Sequence, residues 1–274
     1  MKHFKLISMA LLVVAAICFM GCNPSTGKNG TGKDENGGGE NQTSAYVGIK
    51  APTEAKAVGD IVFSDGSATP YTEGLTFNDG QKAKVIAVIY KVDDGKVYGI
   101  GIVYGSKHLW CKGPSAKGYE VGFSDIQCIP SGNAGELTFS GDTDGSDNYE
   151  QMGEALGLED DTDDLDNYPA FKYAINYKDV SGSHVKGTAF ENGWYLPTIA
   201  EMFDVWKEKT LIEAAGGLFN GAAFKGSWYW TSSQDVGDKK NALVLKISDG
   251  SARGSLKIDN LQHSCDVCVI RVFD

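Results

Sequence analysis

The sequence predicts an α+β protein with a mainly antiparallel sheet. Short runs of β-branched and aromatic residues are joined by Asp-Gly pairs, which favour hairpin turns, and segments with helical periodicity lie between two groups of such runs. The 35 glycines among 274 residues agree with many turns between short strands. With 42% apolar and 22% charged residues, the composition excludes collagen-like, coiled-coil and wholly disordered chains.

The first group of strands lies in the amino-terminal half of the chain. Asp94-Gly95 separates the apolar segments 83–92 and 97–104, and this arrangement predicts a hairpin with a type I′ turn. Gly99 and Gly101 interrupt the second segment, which indicates a close backbone approach or a bulge at these positions.

Helices are predicted between residue 141 and the second group of strands. The strongest pattern covers 198–209, where Thr198 and Glu201 form a capping box and apolar side chains recur every three or four residues. Weaker helical patterns cover 148–158, 169–177 and 211–218. Strands return at 227–231, 242–247, 252–258 and 267–273, with Asp249-Gly250 marking another hairpin.

Residues 1–21 are predicted to be a signal peptide. Two lysines precede a mostly apolar run over 6–19, which has the length of a signal-peptide core and is short of the about 20 residues that a spanning helix needs. The run ends at Phe19-Met20-Gly21-Cys22, which resembles the lipobox of bacterial lipoproteins. The resemblance implies that Cys22 becomes the lipidated N-terminus; ordinary secretory cleavage and an uncleaved anchor are the alternatives.

Residues 22–45 are predicted to be a flexible tether between the lipid and the globular part. The segment 23–44 is rich in Gly, Asn, Ser and Thr, so it has almost no apolar surface to bury. Removal of 1–21 takes away two lysines and no acidic residue, which changes the net charge from −11 to −13. This charge repels anionic lipids and phosphates, so we expect membrane attachment through the lipid on Cys22 and no nucleic-acid partner.

A family resemblance rests on motifs in the second half of the chain. The segment 193–202 reads GWYLPTIAEM, and it is followed by YWTSSQ at 229–234, by Asp249-Gly250 and by VIRVF at 269–273. Their order and spacing resemble the Lcl C-terminal-domain-like family of bacterial surface lipoproteins. This family is also called the major-paralogous-domain family and belongs to the C-type-lectin-like fold group.

The resemblance implies a C-type-lectin-like domain over 141–274, with adjacent terminal strands, and a β-rich leader over 46–140 packed on it. Some members of the family are adhesins that bind glycans or host polymers. The resemblance therefore predicts a non-catalytic, ligand-binding lipoprotein without a cofactor, located in the bacterial cell envelope at the outer membrane or cell surface. Its partner would be an extracellular glycan or protein.

The segment 234–241 is the candidate ligand loop. Gln234, Asp235 and Asn241 offer polar groups there, and Arg253 and Asn260 are predicted to lie near them on the neighbouring strand and loop. A plain solvated loop is the alternative. The resemblance places Trp194 and Trp230 in the core, whereas alternation along a strand sends Trp228 and Tyr229 to opposite faces.

Three other interpretations stay open. An enzyme of the formylglycine-generating fold group would use Cys265 and Cys268, and it requires one of them to be exposed with a lowered pKa. A structural envelope protein is another possibility. Calcium binding by the acidic clusters at 142–147 and 159–166 competes with a solvated acidic loop, and no metal ligand set is predicted. Whether Cys111 and Cys128 form a disulfide is not determined by the sequence.

Overall fold

The computed structural model describes residues 45–114, 116–158, 164–221, 223–258 and 265–273. The predicted signal peptide, Cys22, all but the last residue of the tether and Asn260 lie outside these residues. The chain from Thr43 onward forms one compact unit. Among the described helices, none combines the length and the apolar character that crossing a bilayer requires.

The described residues form twelve strands, five α-helices and three short 3-10 helices. The strands are β1 (Asp60–Phe63), β2 (Ala68–Pro70), β3 (Val85–Asp93), β4 (Lys96–Gly101), β5 (Gly105–His108), β6 (Cys128–Ser131), β7 (Thr138–Gly141), β8 (Trp228–Gln234), β9 (Asn241–Lys246), β10 (Ala252–Leu256), β11 (Cys265–Val267) and β12 (Ile270–Phe273). The α-helices are α1 (Asp79–Lys82), α2 (Asn148–Leu156), α3 (Pro169–Ile175), α4 (Ile199–Lys207) and α5 (Lys209–Gly216). The 3-10 helices are Gly145–Asp147, Leu165–Asn167 and Tyr177–Asp179.

The first five-stranded sheet has the order β12-β4-β3-β1-β2, and all its neighbours are antiparallel. The predicted hairpin at Asp94-Gly95 is confirmed, because it joins β3 to β4. Both turn residues have positive φ, 45° at Asp94 and 79° at Gly95, as a type I′ turn requires. The register shifts between Ile89 and Lys91, opposite the glycine-containing part of β4.

The second five-stranded sheet has the order β10-β9-β8-β11-β5. Its pairs are antiparallel except for β8 and β11, which run parallel and place Asp266 beside Tyr229. The hairpin predicted at Asp249-Gly250 joins β9 to β10. Strands β6 and β7 form a separate two-stranded sheet. The structure thus confirms an α+β class with mainly antiparallel sheets.

Both large sheets combine strands from the two predicted segments. Strand β12 at the carboxyl end pairs with β4, which lies in the predicted leader, and β5 of the leader pairs with β11. The resemblance implied that the first and last strands of 141–274 would be adjacent, but the described part of that segment begins with helices after β7. The boundary between residues 140 and 141 stays a prediction.

Helix α4 begins as predicted. The Thr198 hydroxyl accepts a hydrogen bond from the Glu201 amide at 3.1 Å, and Glu201 Oε2 accepts one from the Thr198 amide at 2.8 Å. Trp194 and Trp230 are both buried in the core, as predicted, with exposed fractions of 3% and 0%. All described residues of the two hydrophobic clusters lie after residue 45, so the chain from Thr43 contains its own core.

Gly99 and Gly101 are required by close packing. A Cβ atom at Gly99 would lie 2.6 Å from Phe273 Cε2, and one at Gly101 would lie 2.7 Å from the Tyr177 hydroxyl oxygen. Both distances are far below van der Waals contact. The two glycines thus allow a close approach, but side chains of Phe273 and Tyr177 make it, and not a second backbone as predicted; the predicted bulge corresponds to the register shift opposite Gly99.

Candidate functional site

Gln234 does not lie in an exposed loop, contrary to the prediction. It is the last residue of β8 and its side chain is fully buried. Its amide Nε2, which carries two hydrogens, lies within hydrogen-bond distance of three backbone carbonyls, at 3.0 Å from Asp235, 3.3 Å from Asp238 and 2.7 Å from Asn241. The strand extends further than its sequence pattern indicated, and Gln234 shapes the loop from inside.

The fold brings Asp235 and Asn241 together, as predicted for a shared site, but their side chains contact each other. Asn241 Nδ2 lies 3.4 Å from Asp235 Oδ2, and Asp235 Oδ1 accepts a hydrogen bond of 2.9 Å from the Gly237 amide. The Asp235 carboxylate also lies against Gly254, where a Cβ atom would come within 2.0 Å of Oδ2. These two side chains therefore hold the loop closed on β10.

Arg253 points away from that pair. Alternation along β10 sends the Arg253 side chain and the Gly254 position to opposite faces of the strand. The exposed guanidinium of Arg253 lies 4.1 Å from the centre of the Trp228 ring, a cation–π contact. The predicted set is therefore divided between two faces, and Asn260 lies outside the described residues.

A cavity of about 340 Å³ lies at the other end of β8. Tyr229 lines it near the start of the strand, whereas Gln234 ends the strand about 16 Å further along, at 3.3 Å per residue. Ile102, Val103, Tyr104 and Asp266 contribute to its wall. Exposed residues at its edge are Ser106, Asn220, Ala223 and Lys225.

Three aromatic rings form one side of this region. Tyr104 stacks on Phe224 with ring centres 4.9 Å apart, and Tyr229 meets both rings edge-on at 6.2 Å and 5.4 Å. Offset stacked and edge-to-face pairs of this kind are favourable and rigid. The aromatic cluster therefore gives the cavity a preformed wall.

The hydroxyl of Tyr229 is the least satisfied group in this cavity. Tyr229 is fully buried, and its hydroxyl has no hydrogen-bond partner among the described residues. The backbone amides of Lys225 and Gly226 lie nearby without ordinary hydrogen-bond geometry, and burial raises the pKa of the hydroxyl despite them. A buried hydroxyl without a partner is costly, and the same cost applies to Gln234 Oε1 and Asn241 Oδ1 at the other end of β8.

Asp266 supplies a carboxylate beside Tyr229. It lies in the middle of β11 with 8% of its surface exposed, and its Oδ1 accepts a hydrogen bond of 3.3 Å from the Lys107 amide. It forms no ion pair with any described residue. Burial raises the pKa of Asp266, and burial lowers the pKa of the neighbouring His108.

The fold resembles the solved structure of a fimbrial protein from Bacteroides ovatus. The TM-score is 0.53 at 12% sequence identity, and the match covers 80% of this chain and 49% of that chain. This chain thus spans about half the length of the fimbrial protein. At such low identity the similarity concerns the fold alone.

No protein-family model matches the chain, and no curated protein matches it. The similarity to a fimbrial protein concerns the fold, and the surface location of this chain stays a prediction. Membership of the Lcl C-terminal-domain-like family, and the C-type-lectin-like assignment with it, is not confirmed.

The cysteines do not meet the condition set for an enzyme. Cys265 and Cys268 are fully buried, and burial raises the pKa of Cys268, whose Sγ lies 3.3 Å from Met202 Sδ. Cys111 and Cys128 are buried free thiols, and burial raises the pKa of Cys128 to about 12. A thiol needs a lowered pKa and access to its substrate to react as a nucleophile.

The acidic clusters offer no metal site within the described residues. No group of three or more His, Cys, Asp or Glu side chains there is arranged to hold an ion. Asp142 Oδ1 instead accepts a hydrogen bond of 3.0 Å from the Asp144 amide, and Asp144 Oδ1 accepts one of 3.1 Å from the Ser146 amide. Residues 159–163 lie outside the described part.

Sequence reasoning missed most of the cavity. Tyr104, Asp266 and Asn220 come from three distant segments, and no shared motif connects them. One local feature of the sequence could have indicated Asp266. It lies between Cys265 and Cys268, next to a predicted strand, and a solvated acidic residue is unusual between two buried cysteines. Alternation along β8 predicted that Tyr229 and Trp228 lie on opposite faces. Whether the Tyr229 hydroxyl finds a hydrogen-bond partner depends on tertiary packing.

Proposed function

We propose that this chain is a bacterial surface lipoprotein whose globular part binds an external ligand without catalysing a reaction. It would be held at the outer membrane or cell surface by the lipid on Cys22, with residues 22–45 as the tether. The fold likeness to a fimbrial protein supports a surface location and an adhesin-like role. The C-type-lectin-like resemblance of 193–202 supports a glycan or protein as the ligand.

The cavity at the start of β8 is the binding site in this proposal. The observation that carries it is a cavity large enough for a small ligand group, lined both by Tyr229, whose buried hydroxyl lacks a hydrogen-bond partner among the described residues, and by Asp266, whose carboxyl lacks an ion-pair partner there. The loop 235–241 is the second candidate: Asp235, Asn241 and Gln234 hydrogen-bond within it, whereas Gln234 Oε1 and Asn241 Oδ1 are buried without a partner among the described residues. Burial of both Cys265 and Cys268 supports binding over thiol catalysis.

Glycan and matrix-protein arrays probed with the chain from Thr43 test this proposal. Tyr229→Phe removes the orphan hydroxyl and keeps the ring, so it should weaken binding to captured ligands at least several-fold while the protein stays folded. The paired variant Asp235→Ala with Asn241→Ala alters the loop at the opposite end of β8 and should leave binding unchanged. The reverse result would move the site to the loop, and absence of any saturable ligand would reject a binding function.

A further inference from the structure

The cavity contains a buried carboxyl group, that of Asp266, without an ion-pair partner among the described residues. Asp266 is nearly fully buried, and no described lysine, arginine or histidine lies within ion-pair distance of its carboxylate. Burial lowers the pKa of His108, and the charges of His108 and Lys107 only partly oppose the burial that raises the pKa of Asp266. Lys107 reaches Asp266 through its backbone amide, and its side chain is exposed.

Leaving a carboxylate buried and unpaired is expensive, and a cation from outside would remove the cost. Burial of a charge is tolerated when an opposite charge and hydrogen bonds accompany it. Lys225 at the edge of the cavity is exposed and pairs with no described carboxylate, so its ammonium does not neutralise Asp266. The position facing Asp266 is therefore suited to an external cation.

The rest of the wall specifies what kind of cation fits. Tyr104 and Tyr229 contribute aromatic rings to the wall, and such rings attract a cation. Ile102 and Val103 add apolar surface suited to methylene groups. An alkyl chain ending in an ammonium matches this combination, because its stem is apolar and its head is a compact donor.

We propose that the cavity binds the lysine side chain of a protein partner, with the ammonium at the Asp266 carboxylate and close to the Tyr104 and Tyr229 rings. The methylene stem contacts Ile102, Val103 and the Tyr104 ring. This inference rests on the proposed function, since it names the ligand group of the same cavity. An amino sugar shares the ammonium but carries hydroxyls, for which Ser106, Asn220 and Lys225 at the edge are the side-chain partners, whereas Ile102 and Val103 fit methylene groups.

The test is a nuclear magnetic resonance titration of the isotope-labelled chain from Thr43. The probe is N-acetyl-lysine methylamide, and its matched control is N-acetyl-norleucine methylamide, which keeps the stem and lacks the ammonium. The lysine probe should shift the signals of Ile102, Val103, Tyr104 and Tyr229 in a saturable way. The norleucine probe should bind at least about tenfold more weakly.

Two variants test whether Asp266 supplies the charge that binds the ammonium. Asp266→Asn keeps an oxygen for the Lys107 amide but removes the negative charge, so it should weaken binding of the lysine probe at least about tenfold. Lys225→Met removes a like charge from the edge and should strengthen binding about two- to threefold. Asp235→Asn, at the far end of β8, is the matched control and should have no effect. Thermal unfolding of each variant shows whether it is folded.

The inference is overturned by equal binding of the two probes, by an unaffected Asp266→Asn variant, or by glucosamine binding more tightly than the lysine probe. It is also overturned by absence of saturable lysine binding in a folded protein. Should Tyr229→Phe still abolish capture on the arrays, the cavity stays the binding site and another ligand class occupies it. If the lysine probe binds in the cavity but array capture is lost only in the variant with Asp235→Ala and Asn241→Ala, this inference stands. The site of array capture would then be the loop 235–241.

Discussion

The Tyr195 hydroxyl donates a hydrogen bond of 2.9 Å to Glu201 Oε1 in the protein interior. The other oxygen, Oε2, accepts hydrogen bonds from the backbone amides of Thr198 at 2.8 Å and Gly145 at 3.1 Å. The Glu201 carboxyl thus connects the start of α4 to the 3-10 helix Gly145–Asp147 and to the Tyr195 side chain. The segment 193–202, which carries the family resemblance, therefore has a structural role here.

Glu201 should make stability depend on pH. Burial raises its pKa to about 7 from 4.5 despite the three donors, so the folded state holds the proton more tightly than the unfolded chain. Its stabilising contribution is complete below pH 4.5 and is lost as the pH rises to 7, a change on the order of 3 kcal/mol. Urea unfolding between pH 4.5 and 8 should show this loss relative to Glu201→Gln. A difference between the two proteins that does not vary with pH would contradict it.

Lys257 should make stability depend on pH in the opposite direction to Glu201. Its fully buried ammonium donates to the carbonyls of Gly118 and Val121 and lies 4.7 Å from the centre of the Trp110 ring, yet burial lowers its pKa to about 8 from 10.5. The unfolded chain binds the proton more tightly between these values, so stability rises with pH across this window. Between pH 7 and 9.5 the free energy of unfolding should increase by about 2 kcal/mol relative to Lys257→Met. A difference between the two proteins that does not vary with pH would show that these contacts offset the effect of burial on the pKa of Lys257.

Two glycine substitutions of opposite sign test the packing of β4. Gly99→Ala places a Cβ atom 2.6 Å from Phe273, so we expect a loss of about 1–3 kcal/mol in the free energy of unfolding. Gly153→Ala is the matched control, since its Cβ would lie 3.8 Å from Leu158 within α2. Alanine favours a helix over glycine, and this variant should gain about 0.5–1 kcal/mol. Chemical denaturation measures both values.

The thiols should be unreactive in the folded chain from Thr43. It contains Cys111, Cys128, Cys265 and Cys268, and all four are buried. A thiol reagent should therefore label none of them at first and four after denaturation, and a reducing agent should leave the melting temperature unchanged. Two reactive thiols after denaturation would instead reveal a disulfide.

Tyr229→Phe should stabilise the protein while it weakens binding. Removal of a buried hydroxyl without a partner relieves a desolvation cost, which predicts a gain of about 1 kcal/mol in the free energy of unfolding. Tyr177→Phe is the contrasting variant, because its hydroxyl accepts a hydrogen bond of 2.9 Å from the Val103 amide and its loss should destabilise. Equal losses in both variants would show that the Tyr229 hydroxyl has a partner in solution.

Local patterns predicted the elements well. Asp94-Gly95 forms the expected hairpin, and Thr198 with Glu201 forms the expected capping box, because each depends on residues within four positions of one another. Gln234 is a residue for which the prediction from local patterns was wrong. Its polar side chain suggested a loop, but tertiary packing buries it and directs its amide to three carbonyls.

The sequence by itself determined the α+β class, the hairpin turns, the helix starts and the acidic charge, because turn chemistry, capping and periodicity act over short stretches of chain. Its lipid anchor and tether stay predictions outside the described residues. Only the tertiary structure decided which polar groups meet. Tyr104, Tyr229 and Asp266 share one cavity because the parallel pairing of β8 with β11 places distant segments side by side. The same packing turned Arg253 away from Asp235, since side chains alternate along β10 whatever their charge.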